Sequence, residues 1–132
     1  MALLTKLYLN EVQDPYLVVD FRFHYERSHD GYRPISNPTC KRMLITIIAP
    51  QADDFLFYEW FINQDVLSGH LAYELPVTLR NVYPDERKIG FVDAKCLAIS
   101  EQYDIRQNSR RLLTLEVIPE QVQIDEMDIH HL

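Results

Sequence analysis

The sequence is short of several features that mark particular classes of protein. It has only 3 glycines in 132 residues, and 47% of its residues are hydrophobic, which is typical of an ordered globular chain. Its 13 lysines and arginines are outnumbered by 20 acidic residues, so the formal net charge is −7. Because nucleic-acid phosphates favour a basic surface, we expect no nucleic-acid partner. The length predicts one domain over residues 1–132.

Long apolar runs and targeting signals are missing too. No stretch approaches the ~20 apolar residues that span a bilayer, so we expect no membrane insertion. The first residues lack a basic region, a long apolar stretch and a small-residue cleavage site, so they do not form a secretory signal peptide. We therefore expect a cytoplasmic chain whose export, if any, needs no cleaved signal.

Motifs for catalysis and metal binding are also missing. The 5 histidines have no metal-ligand spacing with a second histidine or cysteine, and no glycine-rich phosphate loop, nucleophile elbow or HExxH motif occurs. The 2 cysteines, Cys40 and Cys96, form no CxxC pair and are expected to be buried free thiols. Asp93 lies in an otherwise apolar stretch, either as a general base inside a barrel or as an ion-paired or solvent-facing carboxylate. We predict a protein that is not an enzyme and has no cofactor or metal site.

The sequence does contain strand-like alternation over most of its length. The clearest example, residues 17–26, predicts a half-buried antiparallel strand with one wet face. Its predicted apolar face holds Leu17, Val19, Phe21, Phe23 and Tyr25, and its predicted wet face holds Val18, Asp20, Arg22, His24 and Glu26. Other strands are predicted at 3–9, 43–48, 71–79, 88–99, 112–118 and 122–129, with turns at 68–69 and 83–87.

One helix is predicted among the strands, at residues 50–65. Pro50 suits a first helical turn, and the acidic residues 53–54 complement the positive end of the helix dipole. The run 55–62 is apolar nearly all round and is interrupted by Glu59, whereas a helix on the sheet of a monomer needs only one apolar stripe. The helix is therefore either sunk deep in its own core, or packed on the sheet by one face and on a neighbouring subunit by another.

These elements predict a mainly β fold, a small antiparallel β-barrel or sandwich with one α-helix capping it. The longest connection is residues 27–39, which contain the turn dipeptide Asp30-Gly31 and are stiffened by Pro34 and Pro38. A loop of this length without structure of its own usually has a function, although a simple connector is the alternative.

Five short motifs occur in order along nearly the whole chain. They are Asp30, Gly31, Arg33 and Pro34 in the long loop; Glu59 and Trp60 in the helix; Ser68 and Gly69 after it; Phe91, Asp93, Ala94 and Cys96 in a strand; and Ser100, Glu101 and Tyr103 after those. Together they resemble the Hcp family, the tube protein of the type VI secretion system, and most closely its Bacteroidetes-type members. Two features depart from the family pattern: residues 37–40 read NPTC where many members carry a glycine-rich pair, and the chain finishes in DIHHL without an aromatic tail.

The resemblance implies a non-enzymatic structural subunit. Such a subunit assembles into hexameric rings that stack into a hollow tube, and sheath contraction expels the tube through the apparatus. The implied partners are further copies of the chain, sheath proteins, a spike protein and effectors carried in the lumen. The departures are compatible with the main tube subunit or with a specialised paralogue.

Two other functions stay open at this point. One is a small-ligand-binding barrel, or an enzyme built on one, in which Asp93, Tyr73 and His70 line a cavity. The other is a cytosolic adaptor or chaperone of the same fold that does not polymerise.

Three groups of residues are candidates for assembly contacts. The loop group, expected to contact another subunit or the next ring, is Asp30, Gly31, Tyr32, Arg33, Pro34 and Ile35. The helix group, of which some members are expected at an interface, is Phe55, Tyr58, Trp60 and Phe61. The wet-face group, expected to face the lumen or an interface, with plain solvent exposure as the alternative, is Asp20, Arg22, His24 and Glu26.

Overall fold

The computed structural model describes residues 5–10, 12–27, 29–30, 33–34, 39–50, 54–74, 86–104, 110–125 and 127–130. In these residues one helix, α1 (Leu56–Asn63), accompanies strands that all pair in antiparallel fashion. The strands are β1 (Thr5–Leu9), β2 (Tyr16–Glu26), β3 (His29–Asp30), β4 (Arg33–Pro34), β5 (Thr39–Ile48), β6 (Val66–Glu74), β7 (Glu86–Asp104), β8 (Arg110–Ile118), β9 (Gln121–Ile124) and β10 (Met127–His130). No helix among the described residues has the length and apolarity to cross a membrane.

The strands of the chain close into a barrel. Eight of them form one sheet in the order β10-β9-β7-β6-β1-β2-β5-β8, and a further pairing of β7 with β8 joins the sheet to itself. β3 and β4 form a separate two-stranded hairpin. The predicted fold class, a small antiparallel barrel with one helix, is confirmed.

Strand β7 forms two parts of the barrel. Its first part, up to Lys95, pairs with β6 on one side and, over Ile89–Val92, with β9 on the other. Its second part, from Lys95 to Asp104, pairs with β8. We call the surface built by β2, β5, β8 and this second part of β7 the four-strand wall. At 19 residues, β7 is far longer than the usual strand because it serves two neighbouring parts of the sheet.

A break in register between β6 and β7 is where three of the sequence motifs meet. Leu67 pairs with Ala94 but Gly69 pairs with Phe91, so one extra residue is inserted on β7. Asp93 takes a left-handed φ of 49° there. The Ser68 hydroxyl accepts a hydrogen bond from the Asp93 amide, and the Trp60 indole N–H donates to the Ala94 carbonyl. Two side chains thus form hydrogen bonds with the Asp93 amide and the Ala94 carbonyl, at the point where the strand pairing is distorted.

The prediction of a turn at Ser68-Gly69 was wrong, because both residues lie inside β6. The missing side chain of Gly69 allows the close approach of β1. A Cβ built on Gly69 would overlap the carbonyl oxygen of Tyr8, so the position admits no side chain without a shift of the β1 backbone.

We therefore expect Gly69→Ala to destabilise the protein by ~1–3 kcal/mol or more, the cost of overpacking against a backbone atom. The matched control is Gly90→Ala on the neighbouring strand, where a Cβ would have no atom closer than 3.8 Å. This control should be neutral or slightly stabilising, because alanine restricts the unfolded chain. Urea denaturation of the two variants gives the comparison, and an equal effect of both would contradict the close-approach argument.

The predicted faces of β2 were correct only after Asp20. Leu17 and Val19, predicted to share a face with Phe21, are exposed, while Val18 packs on the core. The physical reason is a register shift against β5 between Val18 and Asp20. One extra residue moves every side chain before it to the opposite face.

The helix begins at Leu56, so the predicted start at Pro50 was wrong. Asp54 lies just before the helix, where its Oδ1 accepts a hydrogen bond from the Leu56 amide (3.1 Å) and its Oδ2 accepts one from the Tyr16 hydroxyl (2.9 Å). Burial, followed by this bond to Asp54, raises the pKa of Tyr16 to about 12. The carboxylate therefore ties the first turn of α1 to the start of β2.

The core fills the interior of the barrel. Phe57 and Trp60 enter it from the helix, and the strands supply the rest. Its fully buried larger side chains are Trp60, Phe57, Phe91, Leu7, Met43, Ile45, Ile47, Leu71, Leu113, Leu115, Val117 and Val122.

Candidate assembly surfaces

The outer face of the four-strand wall is polar. Asp20, Arg22, His24 and Glu26 are all exposed on β2, so the wet-face group occupies the surface that the alternation predicted. The face continues across β5 and β8, where the hydroxyls of Thr46 and Thr114 are 2.9 Å apart. Arg42 Nε lies 3.1 Å from Glu116 Oε1.

An ion pair can form within the wet-face group itself. His24 Nε2 lies 2.8 Å from Glu26 Oε1. The hydrogen bond from His24, then the charge of its ring, lowers the pKa of Glu26. Both side chains are more than half exposed, so the contact contributes little to the stability of the chain. The contact instead fixes the positions of the His24 and Glu26 side chains on this surface.

The four-strand wall has two edges without a ladder partner in the described part of the chain. β1 pairs with β2 only at Tyr16 and Leu17, so no described residue pairs with β2 on that side from residue 18 to 26. β6 pairs with β7 only as far as Lys95, so the same holds for β7 from residue 96 to 104. Unpaired N–H and C=O groups at such edges are sites where another strand can add.

Exposed apolar side chains lie along both edges. Val19 is exposed on β2, and Leu97 and Tyr103 are exposed on the second part of β7. Phe55, Phe61 and Ile62 are exposed at or within α1, and Val66 is exposed where it pairs with Lys95 at the end of the β6–β7 ladder. Larger exposed apolar patches mark interaction surfaces.

The helix group divides between the core and this surface. Trp60 is buried, Tyr58 is half-buried, and Phe55 and Phe61 are exposed. Ile62, which the group omitted, is the most exposed large apolar residue in the described part of the chain, at 71%. The all-round apolar pattern therefore reflects one face in the core and one face on the surface.

Comparison of the sequence with a protein-family model shows which family the chain belongs to. The model described as Hemolysin coregulated protein Hcp (TssD) matches residues 1–131. The chain belongs to the Hcp (TssD) family. No curated protein matches it.

Solved Hcp structures share the fold at low sequence identity. Hcp1 from Flavobacterium johnsoniae superposes with a TM-score of 0.69 at 14% identity, covering 97% of this chain and 99% of that one. Hcp1 from Salmonella typhimurium gives 0.68 at 12% identity, covering 92% of this chain and 85% of that one. The anti-feeding prophage baseplate, in a six-fold symmetrised structure, gives 0.51 at 9% identity, covering 92% and 91%.

The loop motif of the Hcp resemblance lies partly outside the described residues. Asp30 pairs with Arg33 in the β3–β4 hairpin, and Pro34 pairs with His29. Gly31, Tyr32 and Ile35 are outside the described part of the chain. The contact expected of this loop stays a prediction.

The three residues proposed for a ligand cavity do not meet. Asp93 is exposed, His70 stacks on Tyr8 with ring centroids 4.8 Å apart, and Tyr73 packs on Phe21 at 5.2 Å. A groove lies between β6, β7 and β9, and of the three residues only His70 lines it. Their placement gives no support to the predicted cavity.

The two cysteines are buried and free, as predicted from their spacing. Each Sγ donates to a carbonyl two residues ahead, Cys40 to Arg42 and Cys96 to Ala98. Burial raises the pKa of both thiols to about 11, which makes them poor nucleophiles at neutral pH. Among the described residues no cluster of histidine, cysteine and carboxylate side chains could hold a metal ion.

The sequence did not show which strands carry the edges that lack a ladder partner in the described part of the chain. The signal that could have revealed one of them is the unbroken strand pattern of β7, which is too long for a single pairing partner. The buried Ala94 lies where the helix meets β7, since Trp60 donates a hydrogen bond to its carbonyl.

Proposed function

We propose that this chain is a non-enzymatic structural subunit of a type VI secretion system, assembling as homo-hexameric rings that stack into the inner tube. The observation that carries the proposal is the match of the Hcp family model over residues 1–131. The proposed partners are other copies of the chain, sheath proteins, the spike protein and effectors in the lumen. Export would then proceed through the apparatus itself.

The two edges of the four-strand wall that lack a described ladder partner support a ring. β2 is antiparallel to β5, β5 to β8, and β8 to β7, so β2 and β7 run in opposite directions. Placing the β7 edge of one copy beside the β2 edge of the next therefore continues an antiparallel sheet. The contact uses different surfaces on the two copies, so it must close into a ring or grow into a filament.

The side chains near the edges fit the same arrangement. Joining β7 to β2 would cover Leu97 and Tyr103 of one copy and Val19 of the next, all exposed in the single chain. Val66, also exposed, pairs with Lys95 at the border of this contact. The outer face of the four-strand wall, with Asp20, Arg22, His24 and Glu26, would then face the centre of the assembled ring and line its lumen.

The solution mass of the purified chain tests this function. Light scattering after size exclusion, over a range of concentrations, is expected to give a mass near six times the 15.7 kDa of one chain, or larger stacked species. A single-chain mass at every concentration would contradict ring formation and favour the adaptor that does not polymerise. Electron microscopy of the assembled fraction would then count the subunits of each ring.

A further inference from the structure

A groove of about 470 Å³ lies on the polar face of the four-strand wall. It runs between β2 and β5, whose register brings Arg22 opposite Leu44 and His24 opposite Arg42. Its lining residues are Arg22, His24, Glu26, Lys41, Arg42 and Leu44. The volume lies within the range of sites that hold a small ligand or a short chain segment.

The groove is basic, although the chain as a whole carries a net charge of −7. Arg42 is engaged by Glu116, and Glu26 by His24. The charge of Lys41 acts on Glu26 only at a distance, as a minor cause of the lowered pKa of that carboxyl. Among the described residues, Arg22 and Lys41 form no ion pair and no side-chain hydrogen bond, so both cations are free to bind an anion.

We propose that this groove binds an acidic polypeptide segment of a protein carried by the assembly. Side-chain carboxylates would pair with the Arg22 guanidinium, which offers a two-pronged contact, and with the Lys41 ammonium. The half-buried Leu44 gives the methylene groups of glutamate an apolar surface between the charges.

Carboxylates of a polypeptide fit better than the phosphates of a nucleic acid. An extended polyanion would run beyond the groove and meet the net negative charge of the chain. A short acidic segment uses only the local cations. That the segment belongs to a carried protein rests on the proposed function; the binding itself does not.

The test measures binding of a labelled peptide of alternating glutamate and alanine by fluorescence anisotropy. The double variant Arg22→Glu/Lys41→Glu is expected to bind it about tenfold more weakly or worse, because two favourable charge contacts become repulsions. The matched control is Lys88→Glu/Lys95→Glu, which changes the net charge equally at exposed positions outside this groove and should bind within about twofold of the parent. Raising the ionic strength from about 0.1 M to about 1 M shortens the Debye length from ~10 Å to ~3 Å and should weaken binding.

Several outcomes would overturn the proposal. These are no binding by the parent chain, equal weakening in both double variants, or equal binding of a peptide of alternating lysine and alanine. A labelled single-stranded oligonucleotide of the same formal charge that binds as tightly would reassign the groove to phosphate. Light scattering on the same samples separates this result from the proposed function, because peptide binding and ring mass are read independently.

Discussion

Leu97→Arg is expected to convert the assembled protein into single chains. Leu97 is 48% exposed on the β7 edge that has no described partner, and it is the extra residue at the register shift between Cys96 and Ala98. In the proposed ring this edge is covered by β2 of the next copy, so the arginine would be desolvated without a partner. An unpaired buried charge costs several kcal/mol, more than the contact should withstand. Light scattering should then give 15.7 kDa at concentrations where the parent chain is assembled.

The matched control for this variant is Val92→Arg. Val92 lies on the same strand and is 43% exposed, but it stands in the part of β7 that has β6 and β9 as partners. We expect this variant to keep the parent mass. If both variants dissociate, added charge alone explains the loss, and if neither does, the β7 edge is not the contact. Denaturation of both variants separates loss of assembly from loss of folding.

The sequence predicted the kind of fold well because the responsible signals are local. Alternation along β2 placed Asp20, Arg22, His24 and Glu26 on one face from the side-chain period alone. The motifs that carried the resemblance also correspond to specific contacts. Trp60, Ser68 and Asp93, far apart in sequence, come together at the β6–β7 register break through two hydrogen bonds.

The errors lie where pairing between strands decides the local structure. The face of Val19 and the position of Ser68-Gly69 inside β6 depend on register shifts against β5 and β7. A small residue and a glycine predict a turn by composition, whereas here they admit β1 and complete a bulge. Register is a property of two strands together, so a single strand pattern does not contain it.

The candidate surfaces were predictable only in part for the same reason. The apolar excess of α1 indicated two burial surfaces, yet it did not show that Trp60 faces inward while Ile62 faces outward. The basic groove joins residues on β2 and β5 whose neighbourhood depends on their pairing. Neither surface appears in any single stretch of sequence.

Trp60 is the residue whose loss should destabilise the chain most. It is 2% exposed, its indole N–H donates to the Ala94 carbonyl at 2.9 Å, and its ring packs near Phe57. Trp60→Ala is expected to cost ~3–5 kcal/mol of unfolding free energy through lost burial and the cavity left behind. Trp60→Phe keeps most of the ring but leaves the carbonyl without its donor, so a smaller cost of ~1–3 kcal/mol should remain.

Urea denaturation in the Leu97→Arg background would separate these costs from those of assembly, provided that this variant is a single chain. The control is Glu59→Gln, an exposed neighbour on the same helix, which should change stability by less than ~0.5 kcal/mol. A Trp60→Phe variant as stable as its parent would mean that the hydrogen bond at the β6–β7 register break contributes nothing. A loss below ~1 kcal/mol for Trp60→Ala would mean that the helix is not part of the cooperative core, since full burial of so large a side chain stabilises by more than that.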